Sequence, residues 1–353
     1  MRSAVSTTLT ATAVGAGSAV LLGGAGIAAQ RRAVRRLRDR PDPHAAEPFG
    51  SLRGRPTPVR ASDGTRLYAE VDGEDRTDLA IVFSHGWTLS QDSWHFQRRA
   101  LRGLGRLVFW DQRGHGRSDG GARDDYGLPR LAHDLADVIE QTVPAGTPVV
   151  LVGHSMGGMT IQRLADEYPH LLGDRVVAAA LCNTSSGGLG EITLGLPALA
   201  ARLTRRTLPR TLRLAGVGSS LIEKVRHLGR DGVLLFEDHA AFGPDASPSA
   251  VAFAEQMAAD TRMEAVLDFL HSMITHDVIS DCAHLGRIET LVLGAEHDLL
   301  TPVGHTLRLA ARIPTARLEV LADAGHMAML ERPATVSDHL GDLIARTHKN
   351  LGL

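Results

Sequence analysis

Gly153-His154-Ser155-Met156-Gly157-Gly158 decides how this chain is read. It follows Thr147-Pro148-Val149-Val150-Leu151-Val152, a short β-branched run that reads as a strand, and precedes Met159-Thr160-Ile161-Gln162-Arg163-Leu164-Ala165-Asp166, which reads as a helix. Strand, G-x-S-x-G and helix together form a sharp turn that lifts a serine hydroxyl above the edge of a sheet. Glycines two positions either side of the serine let strand and helix backbones approach closely.

A serine so placed is a weak nucleophile unless a base removes its proton and an acid orients that base. Candidates for both follow the serine in the chain. Glu289-Thr290-Leu291-Val292-Leu293-Gly294 reads as a later strand, and Asp298 stands just past its end. Open α/β sheets bind ligands at the C-terminal ends of their strands. Arg317-Leu318-Glu319-Val320-Leu321 is the next strand, and His326 lies in the loop after it. The order is Ser155, Asp298, His326, with Glu296 as the alternative carboxylate. A neutral imidazole at His326 would take the proton from Ser155, and a carboxylate on its other ring nitrogen would fix the tautomer. The early run Leu79-Ala80-Ile81-Val82-Phe83-Ser84, also a strand, leads into His85-Gly86-Trp87-Thr88. The backbone N–H groups of Trp87 and Met156 are the expected oxyanion donors.

With these parts in place, the chain resembles an α/β-hydrolase-fold serine hydrolase from roughly Pro58 to Arg346. His85-Gly86-Trp87-Thr88-Leu89-Ser90-Gln91-Asp92-Ser93-Trp94 and Asp111-Gln112-Arg113-Gly114-His115-Gly116-Arg117-Ser118 resemble the cofactor-free haloperoxidase/perhydrolase and esterase branch. The Gly-His-Ser-Met-Gly-Gly turn is equally typical of lipases. The resemblance implies Ser155 as nucleophile, Asp298 as acid, His326 as base, and Trp87 and Met156 as oxyanion donors, with no cofactor; the chain has no C-x-x-C and no H-E-x-x-H, so no metal site is expected. Dehalogenases and epoxide hydrolases of this fold carry aspartate where this chain has Ser155, which disfavours both chemistries. The expected activity is cleavage of carboxylic esters of lipophilic acyl groups through an acyl-enzyme. A perhydrolase or haloperoxidase, or a C–C bond hydrolase, on the same three residues is the alternative. A non-catalytic binding member of the fold is the alternative from another class. Asp111 is expected to hold the Arg113-to-Ser118 loop by hydrogen bonds.

The expected architecture is α/β, a mostly parallel central sheet flanked by helices. Residues 58–185 and 273–349 form the core, and residues 186–272 a helical cap inserted over the site. Over 100 residues separate the strand Val176–Cys182 from the strand before Asp298, too many for a plain connection. Leu194–Leu203, Leu221–Leu228 and Ala250–Met273 are apolar at helical spacing. Arg202, Arg205, Arg206, Arg210 and Arg213 read as a solvated face of these helices, with an anion site as the alternative. Hydrophobic residues make up 43% of the chain, enough for a sizeable core, and a net charge of −2 gives no footprint for nucleic acid. The expected partner is a small-molecule ester. Cys182 and Cys282 read as two reduced, buried thiols.

The N-terminus reads as a separate unit. No charged residue occurs from Ser3 to Gln30, and six arginines then fall within residues 31–40. An uncharged run of this length, closed by positive charge, reads as a single membrane anchor over residues 1–30 with the catalytic part in the cytoplasm. An export signal and a disordered or surface-lying tail are the alternatives, which would make the protein exported or soluble in the cytoplasm. Residues 31–57, basic and proline-containing, read as a linker.

Overall fold

A computed structural model describes residues 29–121, 125–189, 230–276 and 281–353. Its centre is an eight-stranded sheet built from β1 (Arg55–Pro56), β4 (Ala69–Asp72), β5 (Ala80–Ser84), β6 (Arg106–Trp110), β7 (Val149–His154), β8 (Val176–Cys182), β9 (Glu289–Ala295) and β10 (Arg317–Leu321). The spatial order is β1-β4-β6-β5-β7-β8-β9-β10. β1 and β4 are antiparallel to their neighbours, and all pairings from β6 onward are parallel. β5 and β7 are buried along their whole length, so they are continuous apolar runs rather than alternating ones. Two apolar cores lie on the two faces of the sheet. One contains Phe83, Phe109 and the helix Pro333–Leu351; the other contains Val82, Trp110 and the helix Leu128–Thr142.

Two expected elements are divided, each for a local reason. The run Thr65–Val71, which in sequence reads as a single early strand, breaks at Tyr68 into β3 (Arg66–Leu67), which pairs with β2 (Val59–Arg60), and β4. Tyr68 still takes the Asp111 N–H on its carbonyl, one register step beyond Ala69–Trp110, but it gives its own N–H to Ser118 Oγ, so the loop side chain takes the donor that a continuous ladder would use. The apolar stretch Ala250–Met273 is two helices, Pro248–Asp260 and Met263–Ile274. At the break, Thr261 Oγ1 donates to Thr88 O (3.2 Å) and Arg262 N–H to Gly114 O (3.4 Å). Residues 194–203 and 221–228, with the arginines between 202 and 213, lie outside the described residues. No disulfide joins Cys182 and Cys282, and both thiols are buried.

The membrane expectation is corrected. No helix among the described residues is long and apolar enough to cross a membrane, which overturns the reading of a membrane-anchored protein with its catalytic part held at the cytoplasmic face. Residues 1–28 lie outside the described residues. The basic block taken as the flank of a span is a helix over residues 29–38 that lies on the core. Val34 and Leu37 are buried in it, while Arg31, Arg32, Arg35, Arg36 and Arg38 face water. The arginines are the polar side of an amphipathic surface helix, and their clustering follows from its period. The chain beyond it is strapped down: Arg40 pairs with Asp238, Glu47 with Arg99 (2.7 Å), and Phe49 stacks on Phe253 at 4.7 Å.

Candidate active site

Ser155 directly follows β7 and caps the helix Met156–Glu167, with φ 51° and ψ −115°. Among the described non-glycine residues, Thr88, Ser155 and Asn183 alone have positive φ. They follow β5, β7 and β8, three neighbouring strands, so the strained backbone is gathered at one edge of the sheet. The elbow needs its glycines for room. A Cβ on Gly153 would lie 2.6 Å from the Gly157 backbone, and one on Gly157 would lie 2.2 Å from the Ser84 carbonyl oxygen. Ser155 is held by its own N–H to Cys182 O (3.0 Å) and by Thr184 Oγ1 donating to its carbonyl (2.7 Å).

Asp298 and His326 are joined directly. His326 Nδ1 lies 2.8 Å from Asp298 Oδ2, and both residues are buried. The remaining lone pairs of Asp298 are taken by the N–H groups of Leu300 (2.9 Å) and Thr301 (2.7 Å), by Thr301 Oγ1 (2.8 Å) and by Asn183 Nδ2 (3.0 Å). Burial would raise the Asp298 carboxyl; the His326 ring and these hydrogen bonds outweigh it and hold the group below its ordinary value. Glu296 is exposed, and its backbone continues the β9–β10 pairing through Leu321. The His326 ring therefore meets Asp298 and not Glu296. His154 ties Ser155 to the same loop: its Nε2–H donates to the His326 carbonyl at 2.9 Å.

The loop after β5 is set by neutral histidines. His85 donates Nδ1–H to Gly86 O (2.7 Å) and accepts the Gln112 N–H on Nε2 (2.9 Å). His115 donates Nδ1–H to Arg113 O (3.0 Å) and accepts the Thr88 N–H on Nε2 (3.2 Å). Burial pushes His85 well below the ordinary imidazole value, His115 down to about 4 and His154 down to about 3. Each ring keeps one donor and one acceptor at neutral pH, which a charged ring could not do. Trp87 gives its indole N–H to Val266 O (3.1 Å), linking this loop to the helix Met263–Ile274. Met156 opens the elbow helix, so its N–H is one of the four that lack an intrahelical acceptor. Asp111 accepts the N–H groups of Gln91 (2.7 Å) and Arg117 (2.9 Å), which fastens the neighbouring loop.

Sequence reasoning did not reach Asn183, Thr301, Gln112 or the three neutral histidines. Asn183 and His85 follow directly on strand ends, as Ser155 does, and that position was the available signal. Nothing local marks His154 as the link to His326, since that contact spans 172 residues.

Residues 81–339 match the alpha/beta hydrolase family, and the chain belongs to it. A non-heme chloroperoxidase of Streptomyces lividans is 35% identical over 125 residues, which is 35% of this chain and 44% of that protein. A bifunctional esterase/perhydrolase of Acinetobacter calcoaceticus is 38% identical over 124 residues, 35% of this chain and 42% of that one. The chain thus spans less than half the length of these relatives. Among solved structures, a thermophilic esterase from Thermogutta terrifontis (24% identity, TM-score 0.63) covers 83% of this chain and 99% of its own. The enol-lactonase from Burkholderia xenovorans LB400 (24% identity, TM-score 0.66) covers 82% of this chain and 99% of its own. These share the fold.

Proposed function

We propose that the protein is a serine hydrolase that cleaves carboxylic esters of lipophilic acyl groups through an acyl-enzyme. The observation that carries this is the buried His326–Asp298 pair, held through His154 to the strained Ser155. In this reading Ser155 Oγ attacks the ester carbonyl while His326 Nε2 takes its proton. Asp298 holds the ring by Nδ1–H and stabilises the imidazolium. The N–H groups of Trp87 and Met156 receive the oxyanion, where preorganised donors contribute most. His326 then protonates the departing alcohol, and a water deprotonated by the same ring releases the acid.

The lipophilic preference is supported by an apolar cluster beside the oxyanion residues. Met156, Met159, Phe269 and Met273 are buried in it, and Trp87, Leu189 and Leu270 pack on it while partly open. The substrate is a small-molecule ester, and the helices Pro248–Asp260 and Met263–Ile274 act as a cap over the acyl end. The chloroperoxidase and esterase/perhydrolase relatives favour a second reading, in which peroxide replaces water at the acyl-enzyme. Turnover of p-nitrophenyl esters from acetate to palmitate, beside fluorophosphonate labelling, tests the first reading. Peracid formation from acetate and hydrogen peroxide tests the second. Absence of labelling together with absence of ester turnover would refute both.

A further inference from the structure

The loop that carries His326 is clasped by one buried carboxylate. Glu331, in the short helix Ala328–Glu331, accepts the Gly325 N–H on Oε1 (2.9 Å) and the Gly243 N–H on Oε2 (2.8 Å). Gly325 precedes His326, and Gly243 lies in the insertion between β8 and β9. The two backbones touch: a Cβ on Gly325 would lie 2.5 Å from Gly243 N and 2.6 Å from the Phe242 carbonyl carbon. On the other side of His326, the Met327 N–H donates to Ala241 O at 2.9 Å. Both neighbours of His326 are therefore bound, directly or through Glu331, to residues 241–243.

Glu331 does this in unfavourable surroundings. It is 8% exposed, and Arg332, the next residue, pairs with Asp323 instead. Burial pushes its carboxyl up to about 7, with the negative charge of Asp298 adding to the rise and the two N–H groups and Arg332 opposing it. A buried, unpaired carboxylate is costly. A glutamine would cost less but supplies a single acceptor oxygen, and its amide N–H₂ would confront one of the two donors. The site therefore calls for two acceptor oxygens on one rigid group.

We propose that Glu331 is a positioning residue that couples His326 to the insertion, so that the ring is aligned for Ser155 only while residues 241–243 are docked on its loop. This rests on the reading of His326 as the base. The insertion then both shapes the substrate site and sets the competence of the base.

The test compares wild type, His326→Ala, Glu331→Gln and Gly243→Ala. In Gly243→Ala the new Cβ would lie 2.9 Å from Glu331 Oε2 and 3.2 Å from Gly325 N, so it disturbs the clasp from the far side and leaves every titrating group in place. The readouts are kcat and KM on p-nitrophenyl acetate, thermal unfolding, and the far-downfield NMR resonance of the proton between His326 and Asp298. Glu331→Gln and Gly243→Ala should each lower kcat by about 10–100-fold, as expected for slight misplacement of a catalytic group, and leave KM little changed. The downfield resonance should shift or broaden in both. A folded Glu331→Gln or Gly243→Ala with wild-type kcat and an unmoved resonance overturns the proposal, even where its melting temperature falls. If Glu331→Gln does not fold, Gly243→Ala decides. If His326→Ala stays active, the reading of the base fails; if it is inactive while the clasp variants keep full kcat, the clasp alone fails.

Discussion

His154 and His326 are locked together: the His154 ring donates to the His326 backbone carbonyl at 2.9 Å, and the two ring centroids are 4.8 Å apart with planes tilted by 54°. The residue before Ser155 thus fixes the height of the loop that carries His326. The bond requires an N–H on Nε2, and the other nitrogen, Nδ1, is turned toward Gly86, where a Cβ would lie 2.6 Å away. One buried ring touches the elbow, the His326 loop and the loop after β5. Burial pushes His154 down to about 3, so the ring is neutral at neutral pH.

Ser155→Ala should lower ester kcat by about 10⁴–10⁶, as loss of one member of a Ser-His-Asp set does, with the protein still folded. Fluorophosphonate should label wild type at Ser155 and leave the variant unlabelled. Mass spectrometry showing the adduct at another serine would remove the assignment.

Asp298→Asn should slow turnover by about 10⁴, because an amide opposite Nδ1 selects the wrong tautomer. Glu296→Gln should change it little, since Glu296 is exposed and Asp298 meets the ring. A reversed order of effects would transfer the role of acid to Glu296.

Gly86→Ala should depress kcat more than it raises KM. Its methyl would lie 2.6 Å from His154 Nδ1 and 3.2 Å from Leu89 Cδ1, so the loop bearing Trp87 must move. Displacing one oxyanion donor costs about 10²–10³ in kcat. Steady-state kinetics on the acetate ester with kcat unchanged would show that the Trp87 N–H takes no part.

Leu270→Ala should shift chain-length preference. Leu270 packs, partly open, on the cluster beside Met156. Long esters should lose about tenfold in kcat/KM while acetate holds steady, the scale expected for lost apolar contact in a pocket. Equal losses across the ester series would make Leu270 a packing residue only.

The buried histidines imply a defined pH dependence. His115 has an ordinary value of 6.5 and is held down to about 4 in the fold. As pH falls from 6.5 to about 4 the unfolded chain takes up this proton and the folded one does not, so stability is lost over that window. Asp111, pushed up to about 6, and Glu331, pushed up to about 7, act in the opposite sense, so the wild-type curve alone is ambiguous. His115→Gln removes one contribution. The stability of wild type relative to this variant should fall by up to about 3 kcal/mol between pH 7 and pH 4 in denaturant titrations. A constant difference would mean that His115 titrates normally.

The chain displayed its sheet clearly because β5 and β7–β9 are short, mostly apolar runs bounded by turn residues. Val176–Cys182 and Arg317–Leu321 fall where the pattern puts them, and the elbow glycines mark Ser155 by steric need. The residues that hold the site in place were not legible. Asn183, Thr301 and Glu331 are ordinary polar residues in sequence, and each gains its role from contacts that only the folded chain creates. The N-terminal misreading has a similar origin. An arginine cluster after an uncharged run has the same one-dimensional pattern whether it flanks a bilayer or forms the wet side of a surface helix, and it is the burial of Val34 and Leu37 that shows the surface helix here.

Thr88, Ser155 and Asn183 sit in backbone conformations that glycine adopts freely and other residues resist. Glycine at Thr88 or Asn183 would relieve that resistance while deleting side chains that this edge of the sheet uses. Selection for heat resistance alone would therefore tend to erode this edge first, and a library screened for melting temperature without an activity screen should accumulate inactive winners there.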